Sequence, residues 1–128
     1  MKTKFSPSWK SSVQPRKQRK YRKHAPLHLR SAFLNVHLSK ELRTKYGKRS
    51  MGIRQGDKVR IMKGRFVKTE GTVESVNLKK IKVYISKAEI QKKDGSKTKY
   101  PLDPSNLLLL EAVMDDKKRS KKLNKVKP

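Results

Sequence analysis

Three groups of residues in this sequence have types and spacings that could do chemistry. His24 and His28 are four apart, which would set two imidazoles on one helix face as metal ligands. Pro26 lies between them, no acid is close by, and the chain has no cysteine, so no metal site is expected. Asp115 and Asp116 are the only adjacent acids, and the stretch around them offers little to order a pair of carboxylates. Gly47-Lys48 ends like a phosphate-binding loop, but Leu42 stands five residues upstream, where that loop needs its first glycine. Metal chemistry, paired-carboxylate catalysis and nucleotide hydrolysis all lack their residues; neither an enzyme nor a cofactor is expected.

What remains is charge. The 128 residues carry 36 Lys+Arg against 10 Asp+Glu, a net +26. A free compact protein would repel itself at that charge, so a polyanion is the expected partner, with nucleic acid ahead of an anionic membrane surface. Hydrophobic residues make up 33% and charged residues 36%, too little apolar material for a core running through the whole chain. Leu107 to Leu110 is the longest apolar run, far short of the roughly 20 residues of a membrane helix. The N-terminus has no apolar signal-peptide core, and a soluble, intracellular chain is expected.

The charge divides the chain into three segments. Residues 1–50 hold fifteen cations and one acid, a net +14; the last sixteen residues carry +5. Between them the net charge is only +7, so the folded unit is expected there. The expected division is a basic extension over 1–50, a domain over 51–113, and a basic tail over 114–128.

In the first segment, QPRKQRKYRKH (residues 14–24) has six cations and no apolar period, and is expected to be an extended arm. PLHLRSAFLN follows, with Pro26 suited to a first helical position and Leu27, Leu29, Phe33 and Leu34 as a loose apolar stripe. In LSKELRTKYG, Ser39 is a good N-cap, Leu38, Leu42 and Tyr46 recur at helical spacing, and Gly47 stops the turn. Two short helices are expected.

From Arg54 the period becomes two. Val59 and Ile61 alternate with charges, a second strand begins at Thr72 and Val73, and Ile81, Val83 and Ile85 share one face of a third. Asp94-Gly95 marks a hairpin between residues 90–92 and 97–100. Leu107 to Leu110 has the character of a strand buried on both faces. These short strands with tight turns imply a mainly β fold, a small barrel. Val59, Ile61, Val73, Val76, Ile81, Val83 and Ile85 are the expected core. The tail DDKKRSKKLNKVKP has almost nothing to bury.

The stretch GDKVRIMKGRFVKTEG contains half of the six glycines, Gly56, Gly64 and Gly71, with Lys63, Arg65 and Lys68 among them. Glycines there allow positive φ and close backbone approach, so the turn can press amides and cations against a phosphate. The spacing G-x2-V-x-I-x2-G-x6-G-x-V resembles the KOW motif of small SH3-like barrels in ribosomal proteins and transcription elongation factors. With QPRKQRKYRKHAPLH, LSKELRTKYGKRSMGIRQGDKV and PLDPSNLLLL, the chain resembles large-subunit ribosomal protein family twenty-four, archaeal and eukaryotic type (eukaryotic L-twenty-six). The resemblance runs from about residue 14 to about residue 120.

The resemblance implies an SH3-like KOW barrel and a non-catalytic constituent of the large ribosomal subunit in the cytoplasm. It implies binding to large-subunit rRNA early in assembly, near the rim of the polypeptide exit tunnel. Neighbouring ribosomal proteins, and factors docking at that exit, are the other implied partners; no membrane partner and no homo-oligomer are expected. The family often has a further glycine where Lys68 stands and a lysine in place of Val67, so either the turn takes another shape or Lys68 recovers the strain through a phosphate. Asp103 likewise stands where the family often has histidine.

The expected RNA contacts begin with Arg16, Lys17, Arg19, Lys20, Arg22 and Lys23 in the arm, with His24 and His28. Arg30, Arg43 and Lys45 follow in the helical part, then Lys48, Arg49 and Arg54 at the barrel entry, and Lys63, Arg65 and Lys68 in the turn. Tyr21 could stack on a base or do nothing specific, and Trp9 could stack or anchor the N-terminal stretch. Lys79, Lys80 and Lys82 could meet RNA or solvent, as could the tail. The alternatives are a KOW-type elongation factor and a DNA-compacting nucleoid protein. The first class normally adds a polymerase-binding domain, which residues 1–50 are too basic and too thin in apolar residues to build; the second leaves the N-terminal resemblance unexplained.

Overall fold

Pro15 occupies the first position of a ten-residue helix, α1 (Pro15–His24), where the sequence suggests an extended arm. Proline presets the helical φ at that position, and the Arg, Lys and Gln that follow are good helix formers. Two side chains then supply what composition hides. Gln18 Nε2 donates to the carbonyls of Trp9 (3.2 Å), Lys10 (3.1 Å) and Ser12 in and after a preceding 3-10 turn, Pro7–Ser11. Tyr21 is buried with its ring 5.3 Å from Phe5 and 6.0 Å from Phe33. The computed structural model describes residues 4–124.

Both expected short helices form, α2 (Leu27–Phe33) and α3 (Lys40–Tyr46). Pro26 stands one place before α2 and not inside it. Ser39 Oγ accepts from the Leu42 amide, and Gly47 closes α3 with φ +63°, the left-handed conformation that glycine adopts without strain. Between the helices lies an unexpected strand, β1 (Asn35–Leu38), in which buried Val36 and Leu38 alternate with exposed Asn35 and His37, and after α3 comes another, β2 (Ser50–Gly52).

The remaining strands are β3 (Lys58–Ile61), β4 (Glu70–Asn77), β5 (Lys82–Ile85), β6 (Glu89–Gln91), β7 (Lys97–Lys99) and β8 (Leu107–Glu111). Six strands, with β1 and β2 added to those the sequence suggests, join one sheet in the order β2-β1-β8-β3-β4-β5, and β6 and β7 make a separate hairpin through Asp94-Gly95. The pairs are antiparallel except β1 with β8, where His37 faces Leu108 and Leu38 faces Leu109. A register shift between Val73 and Ser75 lets β4 serve β3 at one end and β5 at the other, the bend that curls a sheet into a barrel-like unit.

Val59, Ile61, Val73, Ile81, Val83 and Ile85 are buried as expected, with Val76 half-buried. Leu34, Val36 and Leu38 from upstream and Leu123 from downstream complete the same core. Leu107 and Leu109 are buried while Leu108 and Leu110 are half-exposed, so β8 alternates and is not enclosed on both faces. The tail, expected to be featureless, instead forms α4 (Lys117–Asn124), where Leu123 and Arg119 are buried. Residues 125–128 of that tail lie outside the described residues.

One acid holds α4 in place. Asp57, fully buried, receives Arg119 Nη1 on Oδ1 at 2.9 Å and Nη2 on Oδ2 at 2.6 Å. It also accepts the amides of Arg54 and Val113, both at 2.9 Å. The guanidinium meanwhile donates to the carbonyls of Val113 (2.8 Å) and Gly52 (3.1 Å). A buried charge needs such dense hydrogen bonding to be tolerated, and of the Arg119 guanidinium nitrogens only Nε is left without a partner.

Candidate nucleic-acid interface

Glycines and one lysine shape the turn between β3 and β4. Gly64 has φ +103° and Lys68 φ +69°, so the turn has a left-handed joint at a lysine as well as at a glycine. Lys68 N donates to Ile61 O at 2.8 Å and Ile61 N to Thr69 O at 2.9 Å, closing the base of the turn despite the strained residue. Phe66 packs its ring 5.3 Å from Tyr100, and Arg65 lies over Phe66 at 5.8 Å. Lys63, Arg65 and Lys68 are all exposed at the tip. Gly71 has a different duty: a Cβ there would stand 2.6 Å from Ile85 Cγ2, so only glycine lets β4 pass the end of β5.

The second group is α1. Tyr21 and Gln18 face the protein, which leaves Arg16, Lys17, Arg19, Lys20, Arg22 and Lys23 exposed around the rest of the helix. Tyr21 is therefore a core residue and not a stacking platform. Trp9 is an anchor: its carbonyl accepts from Gln18 and its ring is faced by Lys20 Nζ at 4.9 Å. Arg22 lies over Phe33 at 5.2 Å. The six cations are thus displayed on a docked helix.

The third group is brought together only by the fold. His28, Lys48 and Arg54, from three separate stretches, line one cavity of about 590 Å³ between α2, β2 and α4. Lys118 and Lys122 of α4 line it too, a contribution that nothing in the tail's sequence singles out. Lys48 donates to the Lys122 carbonyl, and Arg54 pairs with Asp116 at 3.2 Å. His24 ends α1 while His28 lies in α2, so the two imidazoles do not share a helix face.

Among the other cations, some are held by structural partners and others are not. Arg30 donates to the carbonyls of Ala25 (2.9 Å), Lys79 (2.7 Å) and Lys23, clamping α1 and α2 to the turn after β4. Arg43 is half-buried with its Nε enclosed and unpartnered, and Lys45 lies over Tyr46 at 5.3 Å. Arg49 is exposed, and its carbonyl accepts from Leu38 N at 3.0 Å. Lys82 pairs with Asp103, while Lys79 and Lys80 are exposed.

Among the described residues, ion pairs engage Arg54, Lys58, Arg60, Lys82, Lys99 and Arg119, and none of the cations on α1 or in the β3–β4 turn. Arg60 hydrogen-bonds Glu70 across β3 and β4 and holds its carboxyl below the usual range; Lys58 and Lys87 add smaller electrostatic pulls, and desolvation opposes them. Acids thus neutralise strand cations, while the helix and turn cations stay available.

A barrel-like sheet that carries a docked cationic helix and a glycine-jointed basic turn defines a small basic barrel. Residues 12–126 match the family of ribosomal proteins described as L26 in eukaryotes and L24 in archaea, and the chain belongs to that family. Its relatives include large ribosomal subunit protein uL24 of Methanosphaera stadtmanae, 48% identical over 114 residues, 89% of this chain and 97% of the relative. The uL24 of Methanocella arvoryzae is 44% identical over 109 residues, covering 85% and 88%. That of Methanocorpusculum labreanum is 42% identical over 113 residues, covering 88% and 93%.

Proposed function

We propose that this protein is a structural, non-catalytic constituent of the large ribosomal subunit that binds large-subunit rRNA through α1, the β3–β4 turn and the cavity rim. The observation that carries the reading is the segregation of charge. Acids are spent on strand cations, and among the described residues the cations of α1 and residues 63–68 have no acid partner. Neutralising phosphates with such groups releases counterions, which makes binding strong and salt-dependent. Early entry into assembly and a position near the polypeptide exit tunnel, beside other ribosomal proteins and exit-docking factors, belong to the same proposal.

The elongation-factor alternative does not account for the match of residues 12–126 to a family of ribosomal proteins. The test is sedimentation followed by footprinting. The protein is expected to travel with large subunits through moderate salt washes and to protect discrete rRNA nucleotides. Recovery with RNA polymerase, or spread along DNA, would overturn the reading.

A further inference from the structure

The cavity between α2, β2 and α4 has a construction that phosphate contacts alone do not require. Its depth is apolar: Leu34, Met51, Ile53 and Leu123 all line it and all are buried. Its rim is cationic, with Lys118, Lys122 and Arg54 exposed and Lys48 half-exposed. Asp116 is the one acid among the lining residues, and it is paired with Arg54. Asn35 and Ser50 add hydrogen-bonding groups beside the apolar surface. The volume of about 590 Å³ lies within the roughly 300–1,000 Å³ of small-ligand pockets.

We propose that this cavity receives one nucleotide of the bound RNA, turned out of its stack, with its base on the apolar floor and its phosphates at the lysine rim. The proposal rests on the RNA-binding reading above and adds a specific place and unit of recognition. A nucleotide is amphipathic in the same sense as the cavity: a flat base of low polarity joined to an anion. RNA is read chiefly through such splayed-out nucleotides, because the deep groove of its helix is closed to side chains. Met51 is suited to the floor, since an unbranched thioether adapts to a planar ligand.

The walls are also prearranged. α4 contributes Lys118, Lys122 and Leu123, and it is fixed through Arg119 to Asp57 and through the Lys122 carbonyl to Lys48. A site whose walls are already docked loses less entropy on filling than one that must first assemble.

The test uses the full 128-residue protein, ¹⁵N-labelled and titrated separately with each of the four 5′-mononucleotides and with inorganic phosphate. At least one mononucleotide is expected to shift the amides of Gly52 and Ile53 saturably, with phosphate leaving them unmoved at equal concentration. Lys48→Gln with Lys122→Gln is expected to weaken that binding about tenfold or more. Ala32→Trp, an exposed position on the cavity wall, is expected to abolish it with the thermal transition unchanged. Identical shifts from phosphate and nucleotides, or no shifts at Gly52 and Ile53, would overturn the proposal. In parallel, affinity for large-subunit rRNA separates the two readings. Retained RNA binding with an unresponsive cavity removes only the nucleotide pocket, whereas absent RNA binding removes the function it rests on.

Discussion

Arg119 grips both oxygens of Asp57 from 62 residues away, and the two side chains are 7% and 0% exposed. The same carboxylate terminates the amides of Arg54 and Val113, so one acid fixes the entry to β3, the exit of β8 and α4 at once.

Removing one partner of such a pair leaves a buried charge. Asp57→Ala is expected to cost about 3–5 kcal/mol in chemical denaturation and to erase amide protection over residues 117–124. Asp57→Leu combined with Arg119→Met is expected to recover part of that loss, because the cost lies in the uncompensated charge. Equal losses in the single and double variants would contradict this account.

Gly71→Ala is expected to destabilise the protein by about 1–3 kcal/mol, since its Cβ would enter the Ile85 side chain at 2.6 Å. A thermal melt reads this directly. An unchanged midpoint would mean that β5 can retreat from β4 at no cost.

Lys68→Gly is expected to raise stability by about 1 kcal/mol, as the left-handed joint loses its side-chain strain. The same variant is expected to lower the slope of log affinity for rRNA against log salt by about 0.7–0.9, the share of one phosphate contact. Stability gained with an unchanged slope would show that Lys68 does not reach the RNA.

Replacing Arg16, Arg19 and Lys23 together with glutamine leaves Tyr21 and Gln18 to hold α1 in place. The salt slope is expected to fall by about 2–3, with circular dichroism unchanged. A deletion of residues 1–50 would be a poor substitute, because it removes β1 and the first residue of β2 along with the cations.

Glu70 carries a pH signature. Its carboxyl is held below the ordinary range by the Arg60 hydrogen bond, so its contribution is present above that range and disappears as acid protonates it through its lowered value. The stability difference between the wild type and Glu70→Gln is therefore expected at neutral pH and is expected to vanish in strong acid, as read by midpoints across a pH series. A difference that persists under full protonation would assign the effect to packing.

Legibility followed how locally each element is determined. The Ser39 cap, the Gly47 stop, the Asp94-Gly95 hairpin and the alternating burial of residues 81–85 carry their causes within a few residues, and the structure matches them, although Ile81 stands in the turn before β5 with φ +55°. α1 is hidden from a periodicity search because Tyr21 is its one buried apolar residue and its other anchor is a glutamine; Pro15 at its start is the available signal. β1 and β2 are short, and their pairing is settled by distant partners. α4 is polar nearly all round, and its cause, Asp57, lies across the sequence as a lone acid beside Gly56. That a turn aspartate can cap backbone amides is the hint the sequence offers. Of the expected contacts, His28, Lys48 and Arg54 converge on the cavity, and only the tertiary fold could bring them together.

The parallel pairing of β1 with β8 has a consequence for the order of events during synthesis. β1 leaves the ribosome soon before one sheet neighbour, β2, but long before the other, β8. Contacts between such remote segments form slowly, so the sheet can finish only after β8 has been released. Through that interval, α1 and its 3-10 turn can form from contacts inside residues 5–33 alone. The nascent chain would then present its cationic helix while the barrel is still unfinished, and the last strand would close a protein already able to hold its polyanion.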